Sequence, residues 1–136
     1  MLTNAADTQF VMEQIEGVHE GVRLKRVYQM TVDGTSHVDF HQKVDGKGPV
    51  VVLIKTSKGV VTGAYTRVGF SGAERYHRDD QCVVFNLKTR FKQRIVGSDW
   101  AVEDFPSRWG PRFDAGSLGL SGFPMNADNS SCCLTK

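Results

Sequence analysis

Val50-Val-Val-Leu-Ile54 is the feature that most narrows how this chain can fold. Successive side chains of a strand point to opposite faces, so an uninterrupted apolar run must be covered on both sides. Lys55 and Thr56 end the run, Ser57-Lys-Gly59 turns the chain, and Val60 to Thr66 supplies a second β-rich run. Two such runs around a short glycine-containing loop predict a hairpin with Val50–Thr56 as a central strand. A second sheet stacked on the first is the expected cover for both faces.

Other segments are placed around this hairpin. Asn4 or Thr3 can cap a first helix that carries Phe10, Val11, Gln14, Ile15 and Val18 on one stripe and ends at Gly17 and Gly21. Val22 to Val32 reads as a strand, Asp33-Gly34 as a turn, and Thr35 to Val44 as a short helix capped by Thr35 or Ser36. Arg67 to Asp80 is polar and is expected to be an exposed loop. Gln81 to Leu87 reads as a buried strand, and Phe91 and Ile95 alternate with Lys92 and Arg94 in a half-exposed one. After Val96 glycines and prolines interrupt the pattern, with a short strand at Ser117–Ser121 and a frayed polar tail over Asn126–Lys136. The expected class is α+β, over residues 1–136 as a single domain.

Composition excludes several functions. The 136 residues carry a net charge of +2, with basic side chains scattered along the chain, which does not favour an electrostatic nucleic-acid binder. No apolar run approaches the ~18 residues of a membrane-spanning helix. Met1 to Asp7 lacks the basic and apolar regions of a secretory signal. Three cysteines, with Cys132 and Cys133 adjacent and Cys82 alone in an apolar run, make no disulfide framework. The compartment expected is therefore intracellular, in the cytoplasm or at the surface of an organelle or complex.

Candidate chemistry is sparse. His37 and His41 are four apart and would share a helix face with Asp45, half of a zinc-type spacing without a third ligand or the glutamate of HExxH. His77 lies near Tyr76 and Asp80 in the polar loop, with no nucleophile pattern beside it. Gly46-x-Gly48 precedes a strand rather than a helix, and Gly59 to Gly63 lacks the Lys-Ser/Thr of a phosphate loop, so both read as turn and sheet glycines. Vicinal cysteines rarely bridge each other, and Cys82 reads as a small core residue. Trp100, Phe105, Trp109 and Phe113 recur at spacings of four or five, but Pro106 and Gly110-Pro111 forbid a continuous helix, so they are expected to pin an irregular connection. No nucleophile, base and oxyanion donor come together, so no catalytic, cofactor or metal residue is assigned and a binding or structural module is expected.

Phe40-His-Gln-Lys-Val-Asp-Gly-Lys-Gly-Pro49, with Val50 to Thr56 and Gly59-Val-Val-Thr-Gly-Ala-Tyr-Thr66 after it, resembles the core of the TLDc family of oxidation-resistance-like proteins. That core reads F-H-x-x-C-D-x-K-G-P, an apolar strand ending in I-K, and G-x-x-F-G-G-Y-T. Cys82-Val-Val-Phe85, Trp109-Gly-Pro-x-Phe113 and Asp128-Asn-Ser130 follow in a matching order. Val44 replaces the block's cysteine, Ala64 the second strand glycine, and Asp114-Ala-Gly116 alters a glycine-rich turn.

The resemblance implies a two-sheet antiparallel β-sandwich flanked by short helices, with no recognised catalytic set and no cofactor. Family members continue into closing strands beyond the position of Ser130, so the domain is expected to be incomplete at its C-terminus and to leave strand edges uncovered. Several members bind and regulate the vacuolar-type proton ATPase, and the family is linked to protection from oxidative stress. The expectation is thus a non-enzymatic module with a protein partner in a larger complex. An accessory subunit of an unrelated cytoskeletal or membrane assembly is one alternative. Cysteine-based oxidative protection through Cys132, Cys133 or Cys82 is the other.

Overall fold

Asn4 opens the first helix as its sequence suggests: its side-chain oxygen accepts from the Asp7 amide at 2.8 Å, one of the otherwise unpaired first-turn donors. The structure, a computed structural model, describes residues 2, 4–15 and 23–121, together with 130–135; for 121 and 130–135 only the backbone is described. Thr3, Gly17, Val18, Gly21 and Val22 lie outside the described residues. Helix α1 (Ala5–Glu13) is followed by β1 (Lys25–Gln29), α2 (Met30–Asp33), α3 (His37–Val44), β2 (Val50–Lys55) and β3 (Val61–Thr66). Then come β4 (Arg75–His77), β5 (Val83–Asn86), β6 (Lys92–Arg94), β7 (Val102–Asp104), β8 (Trp109–Phe113), β9 (Leu118–Ser121) and β10 (Ser130–Thr135).

Among the described residues the strands form two antiparallel sheets, one of six strands in the order β1-β10-β2-β3-β5-β6 and one of four in the order β4-β7-β8-β9. The predicted hairpin is β2 and β3, in register from Val50↔Thr66 to Lys55↔Val61. Every residue from Val50 to Ile54 is buried, and their alternation divides them between two cores. Val50, Val52 and Ile54 pack with Phe40 and Val44 of α3 and with Val102, Phe113 and Leu120 of the smaller sheet. Val51 and Leu53 face the other way, against Val11 and Ile15 with Tyr65, Val83 and Phe85. A second sheet therefore covers only one face; α1 and the residues just after it cover the other. The expectation of sheets on both faces is corrected, because a short helix supplies enough apolar surface for a strip this narrow.

Four local readings also change. The expected strand 22–32 ends at Gln29, since the Asp33 carboxylate accepts from the Gln29 amide at 2.7 Å and favours a helical turn over the ladder. The polar stretch Arg67–Asp80 is not simply an exposed loop: it holds β4, and Phe70 and Asp79 are buried in it. Asp79 accepts from Thr66 Oγ1 at 2.6 Å and from the amides of Arg67, Val68 and Gln81, so its burial leaves no orphan charge. Beyond Val96, β7 and β8 appear where glycine and proline suggested irregular chain, while β9 falls on the strand expected at 117–121. Gly110-Pro111 is accommodated at a register shift between Trp109 and Arg112. Finally, Ser130–Thr135 of the supposedly frayed tail is β10, seated between β1 and β2; residues 126–129 and Lys136 lie outside the described residues.

Candidate functional site

Helix α3 positions His41, which is the one fully interior histidine among the described residues. Ser36 caps the helix reciprocally with Asp39, the serine hydroxyl accepting from the Asp39 amide at 3.0 Å and the aspartate accepting from the Ser36 amide at 3.1 Å. That start rotates Phe40, His41 and Val44 inward. Phe40 sits edge-on to Tyr28 at 5.5 Å and to Phe70 at 5.2 Å between ring centres, and His41 lies beside both Phe40 and Phe70.

His41 Nδ1 contacts Asp45 Oδ1 at 2.7 Å, Nε2 contacts the Trp109 carbonyl at 3.1 Å, and Asp104 Oδ1 stands 3.9 Å from Nδ1. Asp104 is fully buried and gathers donors from several elements. Its oxygens accept from the Ser71 amide and hydroxyl at 2.8 Å each, the Gly72 amide at 3.1 Å and the Ala73 amide at 3.3 Å. His77 Nε2 of β4 lies 3.0 Å from the same carboxylate. Burial works against the charge of Asp104, but the bonds from Ser71, His77 and Ala73 outweigh it and hold its pKa below the ordinary carboxylate value.

His41, Asp45 and Asp104 have ligand atoms within 4.8 Å of one another, the spacing of a small cation site. Their donors and acceptors are already engaged: both His41 nitrogens have oxygen neighbours, and Asp104 is surrounded by amides, a hydroxyl and an imidazole. A metal ion would have to displace these bonds. What the arrangement does is fasten the 71–73 turn and β4 to the buried Asp104 carboxylate of β7, while His41 ties α3 to β8 through the Trp109 carbonyl.

The sequence pairing of His37 with His41 separates here. His37 Nδ1 contacts the Pro106 carbonyl at 2.8 Å, while His41 turns to Asp45, the partner that i, i+4 spacing does predict. His77, read as a loop residue, belongs to the cluster through Asp104. Asp104 itself carried no sequence signal; its donors come from residues some thirty positions earlier. Cys82 is wholly buried, and desolvation raises its thiol pKa. The side chains of Cys132 and Cys133 lie outside the described residues.

The aromatic group splits as well. Phe113 is buried, with its ring centre 5.9 Å from that of Phe70, whereas Trp100, Phe105 and Trp109 form an outer row with Tyr76.

With the sandwich and its polar knot described, comparison with known families adds one decisive finding: the family model for the TLDc domain matches residues 1–98. The chain belongs to the TLDc domain family. No curated protein matches it. The matched span contains the TLDc block Phe40–Pro49 and the β2–β3 hairpin, and ends before β7, β8 and β9. Three members of the buried cluster, His41, Asp45 and His77, therefore lie in the matched part of this TLDc chain, and Asp104 lies beyond it. Among the described residues no helix is long and apolar enough to cross a membrane.

Proposed function

We propose that this TLDc domain is a non-enzymatic interaction module that docks on a larger protein assembly and stabilises or regulates it. The observation that carries this reading is the buried carboxylate cluster. The histidines and acids best able to perform acid–base chemistry are His41, Asp45, His77 and Asp104. They are engaged in bonds that join α3 and the 71–73 turn to the smaller sheet. A general base needs a lone pair free to reach a substrate proton.

The family resemblance directs the reading to the vacuolar-type proton ATPase as the assembly, with the domain acting from its cytoplasmic side. Purified full-length chain mixed with the purified ATPase should co-sediment and change the rate of ATP hydrolysis. A chain that stays monomeric and leaves the rate untouched would remove the ATPase from the proposal. Turnover of a small molecule that disappears on a single substitution would remove the non-enzymatic reading.

Cysteine-based protection finds little support from Cys82, whose buried, desolvated thiol is a poor nucleophile.

A further inference from the structure

The outer side of the four-stranded sheet carries a row of aromatic side chains that the two cores do not use. Tyr76 of β4 lies opposite Glu103 of β7, which lies opposite Arg112 of β8, so these residues share the face turned away from Val102 and Phe113. The Trp100 and Tyr76 ring centres are 5.8 Å apart, those of Tyr76 and Phe105 4.8 Å, and those of Phe105 and Trp109 5.6 Å. Trp100 is 56% exposed and Tyr76 42%. Contiguous aromatic surface left in water is the signature of a contact site rather than of a stability device.

We propose that the ridge of Trp100, Tyr76, Phe105 and Trp109, flanked by Arg108, is the surface on which this domain docks an acidic segment of another protein. The inference rests on the interaction reading above and adds the place and the chemistry of the partner. Charge singles out that chemistry. Three arginines have acids of their own: Arg112 has Glu103 at 3.6 Å, Arg78 has Asp80 at 3.2 Å and Arg90 has Asp7 at 2.7 Å. Among the described residues, Arg108 has none. The nearby Glu74 carboxylate is committed to the Ser107 amide and hydroxyl at 2.7 and 2.9 Å.

Arg108 is also pre-positioned. Its guanidinium carbon stands 5.6 Å from the Phe105 ring centre and 5.8 Å from that of Trp109, so its planar fork rests on the ridge. A carboxylate arriving there gains a bidentate partner, while the neighbouring rings take the apolar part of the same segment. Tryptophan, tyrosine and arginine are the residue types that dominate binding energy at protein interfaces.

The test is selection of binders from a random 12-residue peptide display library on the full chain, followed by titration of the selected synthetic peptides. Acidic sequences should be enriched, their affinity should fall with added salt, and Trp100→Ala and Arg108→Glu should each weaken them at least tenfold. Lys92→Glu, on the far edge of the other sheet, should leave binding unchanged. Unaltered thermal midpoints of the two ridge variants will show that the fold is intact, as their exposure predicts. Acidic peptides that bind both ridge variants normally would overturn this surface and leave the interaction reading standing. Enrichment of basic peptides would overturn the acidic partner. Self-association or binding to phosphatidylserine vesicles that Trp100→Ala abolishes, without peptide binding, would also overturn it. Recovery of no binder at all would overturn the interaction reading along with the surface.

Discussion

Glu103 and Asp104 are neighbours on β7, yet their carboxylates face opposite sides of the smaller sheet and shift in opposite directions. Glu103 looks outward; burial raises its pKa above 4.5, only partly countered by Arg112, and its Oε1 has no hydrogen-bond partner. Asp104 looks inward. Burial opposes its charge too, but its hydrogen bonds prevail and the pKa falls below 3.8. One strand thus holds a carboxylate that would rather be neutral beside one that must be charged.

For Asp104 the lowered folded-state pKa means that its stabilisation is present above the unfolded value near 3.8 and is lost as pH falls through the folded value. Asp104→Asn should cost about 3–5 kcal/mol at neutral pH, as for other broken buried ionic networks. It should also flatten the acid limb of stability. Urea unfolding midpoints between neutral and strongly acidic pH, for wild type and variant, measure both effects.

Glu103 carries the reverse sign. Its raised pKa makes the folded state favour the protonated form, so the associated stability is present below 4.5 and is lost as pH rises through the folded value. The stability of Glu103→Gln relative to wild type should therefore increase as pH rises from acid to neutral. The same denaturation series reads it, and a difference that shrinks with rising pH would contradict the assignment.

The hairpin makes the third prediction. Ile54 is buried between α3 and the smaller sheet, and Ile54→Ala should destabilise the fold by about 2–5 kcal/mol in chemical unfolding. A loss below about 1 kcal/mol would be too small for a central core position.

Gly63 is fixed by close approach instead of backbone conformation. A Cβ there would run into the Val52 carbonyl of the paired strand and come within 2.9 Å of the Phe85 ring. Gly63→Ala should cost about 1–3 kcal/mol through forced displacement of those neighbours, measured as a lowered unfolding midpoint.

These sites show what the sequence could reveal. Val50–Ile54 declared its double-sided burial because consecutive apolar positions on a strand leave neither face suited to water, and Thr35 or Ser36 announced the start of α3, although the choice of Ser36 and its reciprocal bond with Asp39 came only from the structure. Asp104 was illegible: an acidic pair after a valine looks the same whether a carboxylate faces water or a ring of amides, and those amides come from Ser71, Gly72 and Ala73. His77 and Asp79 were hidden likewise: most charges of that polar segment are exposed, and only Asp79 is buried, where Thr66 and three amides meet it. The Trp100–Trp109 ridge could be seen as aromatic spacing, but only the register of β4, β7 and β8 brings Tyr76 to it.

Cys82 yields a prediction of inertness. With its thiol buried and its ionisation disfavoured, iodoacetamide should modify Cys82 about a hundredfold or more slowly in the native protein than in the unfolded chain. Mass mapping of the alkylated peptide follows this site separately from Cys132 and Cys133.

Thr135 pairs with Lys25 on one flank and with Val50 on the other. During synthesis, two early strands must therefore wait with open flanks until the segment that stitches them together has left the ribosome. That delay gives the nascent chain a long-range closing step, slow by its separation along the backbone, and a period in which chaperones or other unfinished chains meet bare strand edges.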